Sequence, residues 1–147
     1  MKNAAFTAIA MLVLLIATAV AVEAQTTSST KLVANIPFEF NVGDKTMPAG
    51  QYTIRQVNPS SDRPVLQITS KDGSSSALAQ TNSVRARDAK QSVLVFNRYG
   101  SQYFFSMAVI DGLPDAWQAP KSRGERGLAK ELADIRPETT TVALSRR

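Results

Sequence analysis

The residues with the most obvious capacity for chemistry lie in "KSRGERGLAKEL", residues 121–132. There Lys121, Arg123, Arg126 and Lys130 stand among Glu125 and Glu131. Four cations at that density suggest a grip on something acidic. Between residues 121 and 134, however, three carboxylates accompany the four cations, a net of +1. Mixed signs are what the wet side of a helix carries. A nucleic-acid groove shows a stripe of one sign with stacking aromatics interleaved, and this run has no aromatic. No nucleic-acid partner is expected.

Other chemistries are pruned by what is missing. The chain of 147 residues has no His and no Cys. Thiol nucleophiles, Cys/His zinc sites, His-ligated haem and Ser-His-Asp relays all require those groups. Catalysis would have to fall to paired carboxylates, with Glu39, Asp44 and Asp88 as the candidates, or to a Ser with a Lys base. No spacing marks such a pair. Asp44, Asp72, Asp111 and Asp115 all stand beside Gly or Pro, where turn chemistry accounts for them without calcium. The chain is therefore expected to hold no metal or cofactor and to have no catalytic residue.

Aromatics in loops are the remaining candidates. Tyr99 falls in "NRYGSQ", read as a hairpin loop, and Trp117 in the Pro-flanked "DGLPDAWQAP". With Arg98 and Lys121 beside them they suggest an interaction surface of Arg98, Tyr99, Trp117 and Lys121, able to stack a sugar or dock a protein. The competing expectation is that Trp117 plugs one end of the fold.

The elements that would position these residues begin after an export signal. Lys2 precedes the apolar run "AIAMLVLLIATAVAV", and Val22-Glu23-Ala24 fits a cut after Ala24. A retained anchor is the alternative, but the run is shorter than the roughly 20 residues a span prefers. Residues 1–24 are thus expected to be a signal peptide, 25–31 a disordered leader and 32–147 one β-rich domain, secreted or periplasmic. No membrane span should remain after cleavage. The net charge of +5 argues solubility and weak steering toward anionic surfaces.

Within the domain, "VANIPFEFNV" alternates Ile36, Phe38 and Phe40 against polar neighbours, with Pro37 marking an edge or an unpaired position. "GDKTMPAG" reads as a turn before "QYTIRQV", and Asp72-Gly73 as a hairpin turn between "VLQITS" and "SSALAQTNSV". "SVLVFNRYGSQYFFSMAVI" forms a central hairpin apolar on both faces, which needs cover on both faces. The cover is supplied by a helix near 122–135. Ser122 and Glu125 form its capping box, Leu128, Leu132 and Ile135 its apolar stripe, and Pro137 ends it. "TTTVALS" closes the domain as a final strand. The fold class expected is mainly β: a single antiparallel sandwich or partly open barrel of about seven or eight strands with one C-terminal helix packed on a sheet.

At "NIPFEFNVGDKTMPAGQYTI", "LVFNRYG" and "KSRGERGLAKEL" the chain resembles a group of small exported bacterial proteins marked by a PAGxYxI segment and a KSRxER-type C-terminal helix. The resemblance implies export and a β-rich fold, and no activity or functional residue. The function expected is that of an exported, non-catalytic β-domain with a structural or interaction role in the bacterial cell envelope, its partner a protein or a glycan. A small hydrolase, or a barrel carrying a small apolar ligand, is the alternative.

Overall fold

The computed structural model describes residues 31–86 and 89–146. The expected signal peptide and nearly all of the leader lie outside the described residues. Among the described residues eleven strands and one helix follow in chain order. They are β1 (Leu32–Ile36), β2 (Phe40–Val42), β3 (Lys45–Met47), β4 (Gly50–Gln56), β5 (Val65–Ser70), β6 (Ser76–Gln80), β7 (Asn82–Arg85), β8 (Val93–Tyr99), β9 (Gln102–Val109), β10 (Asp115–Gln118), α1 (Arg123–Glu131) and β11 (Glu138–Arg146). The mainly β class with one late helix matches the sequence reading; the strand count is higher.

The extra strands arise where single runs break. Pro37 has no N–H to give a ladder, and the chain leaves β1 there and resumes as β2. The stretch after it is a hairpin and not a plain turn: β2 pairs β3 about Gly43, whose φ of 61° favours glycine. The return strand after Asp72-Gly73 splits at Thr81 into β6 and β7. The loop "DGLPDAWQAP" contains β10, which pairs with β7 and β9.

Strand order runs β3-β2-β9-β8-β11-β1-β4-β5-β6. All pairings are antiparallel except the short β2–β9 contact at Asn41 and Phe104. Chain continuity then bends this sheet into a nearly closed barrel. Buried Thr81 bonds the Pro64 carbonyl through both its amide (2.9 Å) and its hydroxyl (2.7 Å). Beyond that pin, β6 leaves the β5 ladder and continues as β7 beside β10, which returns to β9. At the opposite seam the Lys45 ammonium reaches the Ser76 carbonyl, joining the β2–β3 hairpin to β6.

Alternation fills the barrel from every wall. Leu32, Ala34 and Ile36 of β1 meet Tyr52 and Ile54 of β4, Leu66 and Ile68 of β5, and Leu94 and Phe96 of β8 in one buried cluster. Phe40 lies at its centre, with ring centroids 5.1 Å from Tyr52 and 5.5 Å from Phe96, both edge-on. The interior is occupied by side chains. That geometry is the filled-core outcome, which weighs against an interior ligand.

Helix α1 lies on the outer face of β8 at its end, with Glu125 against Asn97 and Tyr99; the outward Val93 and Val95 stand half-buried, so the cover expected over the hairpin is partial. The helix is shorter than the 122–135 expected, ending at Glu131. Its apolar stripe is also weaker: Leu128 and Leu132 are half-buried and Ile135 is exposed. A helical turn that finds no sheet beneath it must stand on propensity alone, which short helices cannot do.

Candidate functional site

Most of the residues picked out by chemistry gather where β8 meets α1. Tyr99 ends β8 and is 2% exposed, so it belongs to the strand and not to a loop. The turn between β8 and β9 shrinks to Gly100 and Ser101, with Gly100 at φ 60°. Asn97, Arg98 and Tyr99, all read from sequence as loop, are paired to Phe104, Tyr103 and Gln102.

Because side chains alternate along β8, its end presents two different surfaces. Outward, Asn97 and Tyr99 meet Glu125, which is 3% exposed and the one carboxylate buried among the described residues. Asn97 Nδ2 donates to Glu125 Oε1 at 2.8 Å and the Tyr99 hydroxyl donates to the same oxygen at 3.2 Å. The capping box is therefore half realised. Ser122 Oγ accepts from the Glu125 amide at 3.1 Å, while the Glu125 side chain turns away from the cap and into the sheet. Lys121 Nζ donates to the Tyr99 hydroxyl at 3.2 Å. This bond holds the Lys121 ammonium above its ordinary 10.5, with burial opposing it and the Glu125 charge adding a smaller lift. No buried side-chain polar atom among the described residues lacks a partner.

Toward the barrel mouth, Arg98 and Tyr103 form a cross-strand pair. The guanidinium carbon lies 5.5 Å from the Tyr103 ring centroid, and Phe38 stacks on that ring at 3.9 Å and 12°. Arg98 Nε donates to the Gly100 carbonyl at 2.8 Å, and Nη1 lies 3.4 Å from Glu138 Oε2. Its side chain remains 43% exposed. Alternation in the sequence sets Phe38 on the apolar side of its strand, and the structure packs it, partly buried, against the core with Tyr103. The pairing of Tyr103 with Arg98 follows once the turn is placed at Gly100-Ser101, so a two-residue hairpin was the signal that could have revealed it.

Trp117 does not join this group. It sits in β10, paired with Ser83 and Ala108, and packs half-buried against the core. Ala108 is level with Leu94, five residues before Tyr99 along β8, or roughly 16 Å at 3.3 Å per residue. Its place in a strand against the core is closer to the plug than to the platform. The expected four-residue surface is thus divided: Arg98, Tyr99 and Lys121 are neighbours with Tyr99 buried beneath, and Trp117 stands apart.

Of the carboxylates considered for hydrolysis, Asp44 reaches this end at the start of α1. Glu39 is exposed, Asp44 is exposed and accepts from the Gly124 amide at 3.4 Å, and Asp88 lies outside the described residues. Among the described residues no cluster of three acidic side chains is arranged to hold a metal ion. No helix there is long and apolar enough to cross a membrane. No family model, curated protein or solved structure matches the chain.

Proposed function

We propose that the chain is an exported, non-catalytic β-domain that works in the bacterial cell envelope by binding an anionic component, protein or glycan. The observation that carries this reading is the end of the β8–β9 hairpin. There two cations with solvent access, Arg98 and Lys121, are each braced on a tyrosine, Arg98 beside the Tyr103 ring and Lys121 on the Tyr99 hydroxyl. Bracing matters because a side chain already held in place loses less freedom when it binds. The buried carboxylate behind them accepts from Asn97 and Tyr99 and so seats α1 on β8. The apolar run before Ala24 and the net charge of +5 support the same setting.

Expression of the full chain in a bacterium, followed by fractionation and mass analysis, is the first test. A product beginning at Gln25 in the envelope fraction is expected. Binding of that product to envelope extracts and anionic glycans is then compared with the double substitution Arg98→Glu and Lys121→Glu. The reading expects a loss of roughly tenfold or more in affinity, steeper at low salt. An uncleaved cytoplasmic product, or binding indifferent to both substitutions, would remove it.

A further inference from the structure

The outer face of the β4–β5 hairpin carries a second polar surface. Alternation turns Tyr52, Ile54, Leu66 and Ile68 into the core, which leaves Thr53, Arg55, Gln67 and Thr69 facing outward. The ladder sets them in rows. Arg55 stands opposite Gln67, and Thr53 opposite Thr69. Lys71 adds one more outward row, its amide donating to the Gln51 carbonyl at 2.8 Å. Along the other edge of β4, Lys31 lies one step beyond the Leu32–Ile54 pair, level with Arg55. These side chains line a hollow of about 440 Å³.

The hollow is cationic at both ends and hydroxylic between. Lys31, Arg55 and Lys71 are exposed, and Asp72 is the one carboxylate in the lining, a net of +2. Asp72 is held within its own turn by Ser70 and Ser74. Among the described residues the only ion pair is Arg98 with Glu138, so the three cations have no acidic partner there. Like charges level across a ladder repel, and an acidic group between Lys31 and Arg55 relieves that row. Arg55 is already oriented for one. Its Nε donates to Gln67 Oε1 at 2.7 Å, which leaves the two terminal nitrogens of a planar fork for a carboxylate, sulfate or phosphate. Lys71 lies four residues past Gln67, roughly 13 Å at 3.3 Å per residue. One small acid seated at Arg55 leaves Lys71 unmatched, so a ligand that satisfies both carries acidic groups on a longer frame. Between them lie the hydroxyls of Thr53 and Thr69, the latter 3.1 Å from Ser76 Oγ. Each can donate and accept, as a sugar hydroxyl does. An extended acidic peptide fits less well, because its backbone seeks a strand edge and β4 and β5 are each paired on both sides.

We propose that this face binds an anionic oligosaccharide, one acidic group at Lys31 and Arg55, the next at Lys71, and the sugar hydroxyls along Thr53 and Thr69. The site is not the hairpin end. Strand β11 pairs Glu138 with Arg98 and, eight residues on, Arg146 with Leu32 beside Lys31, a separation of roughly 26 Å. The inference does not rest on the hairpin-end reading, so either can fail alone. Tetrasaccharides of galacturonate, of sulfated heparin and of neutral glucose are titrated into the purified chain by calorimetry. Saturable one-to-one binding of an acidic tetrasaccharide is expected. It should be about tenfold or more tighter than for the neutral chain, and than for monomeric galacturonate, which reaches one end only. The tighter of the two acidic chains identifies carboxylate or sulfate as the acid. Arg55→Glu with Lys71→Glu should lower that affinity by about tenfold or more, whereas Arg98→Glu with Lys121→Glu leaves it unchanged. Thr53→Val removes a hydroxyl at constant charge and should weaken binding about fivefold. Urea midpoints near that of the unsubstituted chain verify that the variants fold. Monomer binding as tight as the tetrasaccharide, or affinity unmoved by the Arg55 and Lys71 pair, would overturn the proposal. Indifference to Thr53→Val would reduce the face to loose charge attraction. A tetraglutamate peptide matching the best saccharide would also overturn it, and would mark a surface for acidic protein segments instead.

Discussion

Glu125 shows what one side chain decides in this domain. A buried charge is costly unless its oxygens are hydrogen-bonded, and here two donors from β8 converge on one of them. Glu125→Leu would keep the volume and strand both donors. The expected cost is about 2 kcal/mol in urea unfolding, with Glu125→Gln costing less because it retains an acceptor. Asp72 makes the complementary case on the surface. Its carboxylate accepts from the Ser70 hydroxyl at 2.6 Å and from the Ser74 amide and hydroxyl. These bonds, Ser70's foremost, hold it below its ordinary 3.8. A lowered folded value means the stabilisation is present above 3.8 and disappears as pH falls through the folded value. The stability gap between the unsubstituted chain and Asp72→Asn should therefore narrow on acidification from pH 3.8 downward. A gap constant across that window would show that the bonds carry no linkage.

At the scale of elements, α1 is a short helix whose start is well specified and whose end is not. Ser122 sits at φ −67° and ψ 169° and caps the Glu125 amide. Ser122→Ala should cost about 1 kcal/mol and accelerate hydrogen exchange in the first turn before any other part of the domain. Uniform acceleration across β8 and β9 would mean that the helix does not open independently. The S-x-x-E spacing made this start legible in sequence. The destination of the Glu125 side chain was not legible, because its partners Asn97 and Tyr99 lie 28 and 26 residues away. Local spacing fixes only what the cap offers, and a long-range competitor won the side chain. The same limit hid β7 and β10. Each is four residues long, and together they gain most of their bonds from one another across a gap that no local pattern measures.

For the whole molecule, stability rests on one filled interior without disulfides. Phe96 contacts Phe38, Phe40 and Phe105 in edge-on geometry with centroids 5.2, 5.5 and 6.1 Å away. Phe96→Ala is expected to cost about 3–5 kcal/mol, the range for emptying an aromatic core site. The shift should appear in the urea midpoint with the slope unchanged. A loss below about 1 kcal/mol would indicate a core loose enough to collapse into the gap, and would revive an interior ligand.

Composition and spacing alone determined that the chain lacks thiol and imidazole chemistry, that it is built from strands around a double-sided hairpin, and that a capped helix follows it. These are properties of residue type and local period, which hold wherever the chain goes. Only the tertiary structure decided that the sheet closes through Thr81, that Tyr99 is buried under α1, and that Trp117 stands apart from Arg98. Each of those depends on which distant strand wins a ladder, and such pairing is settled by global packing and not by neighbours in sequence.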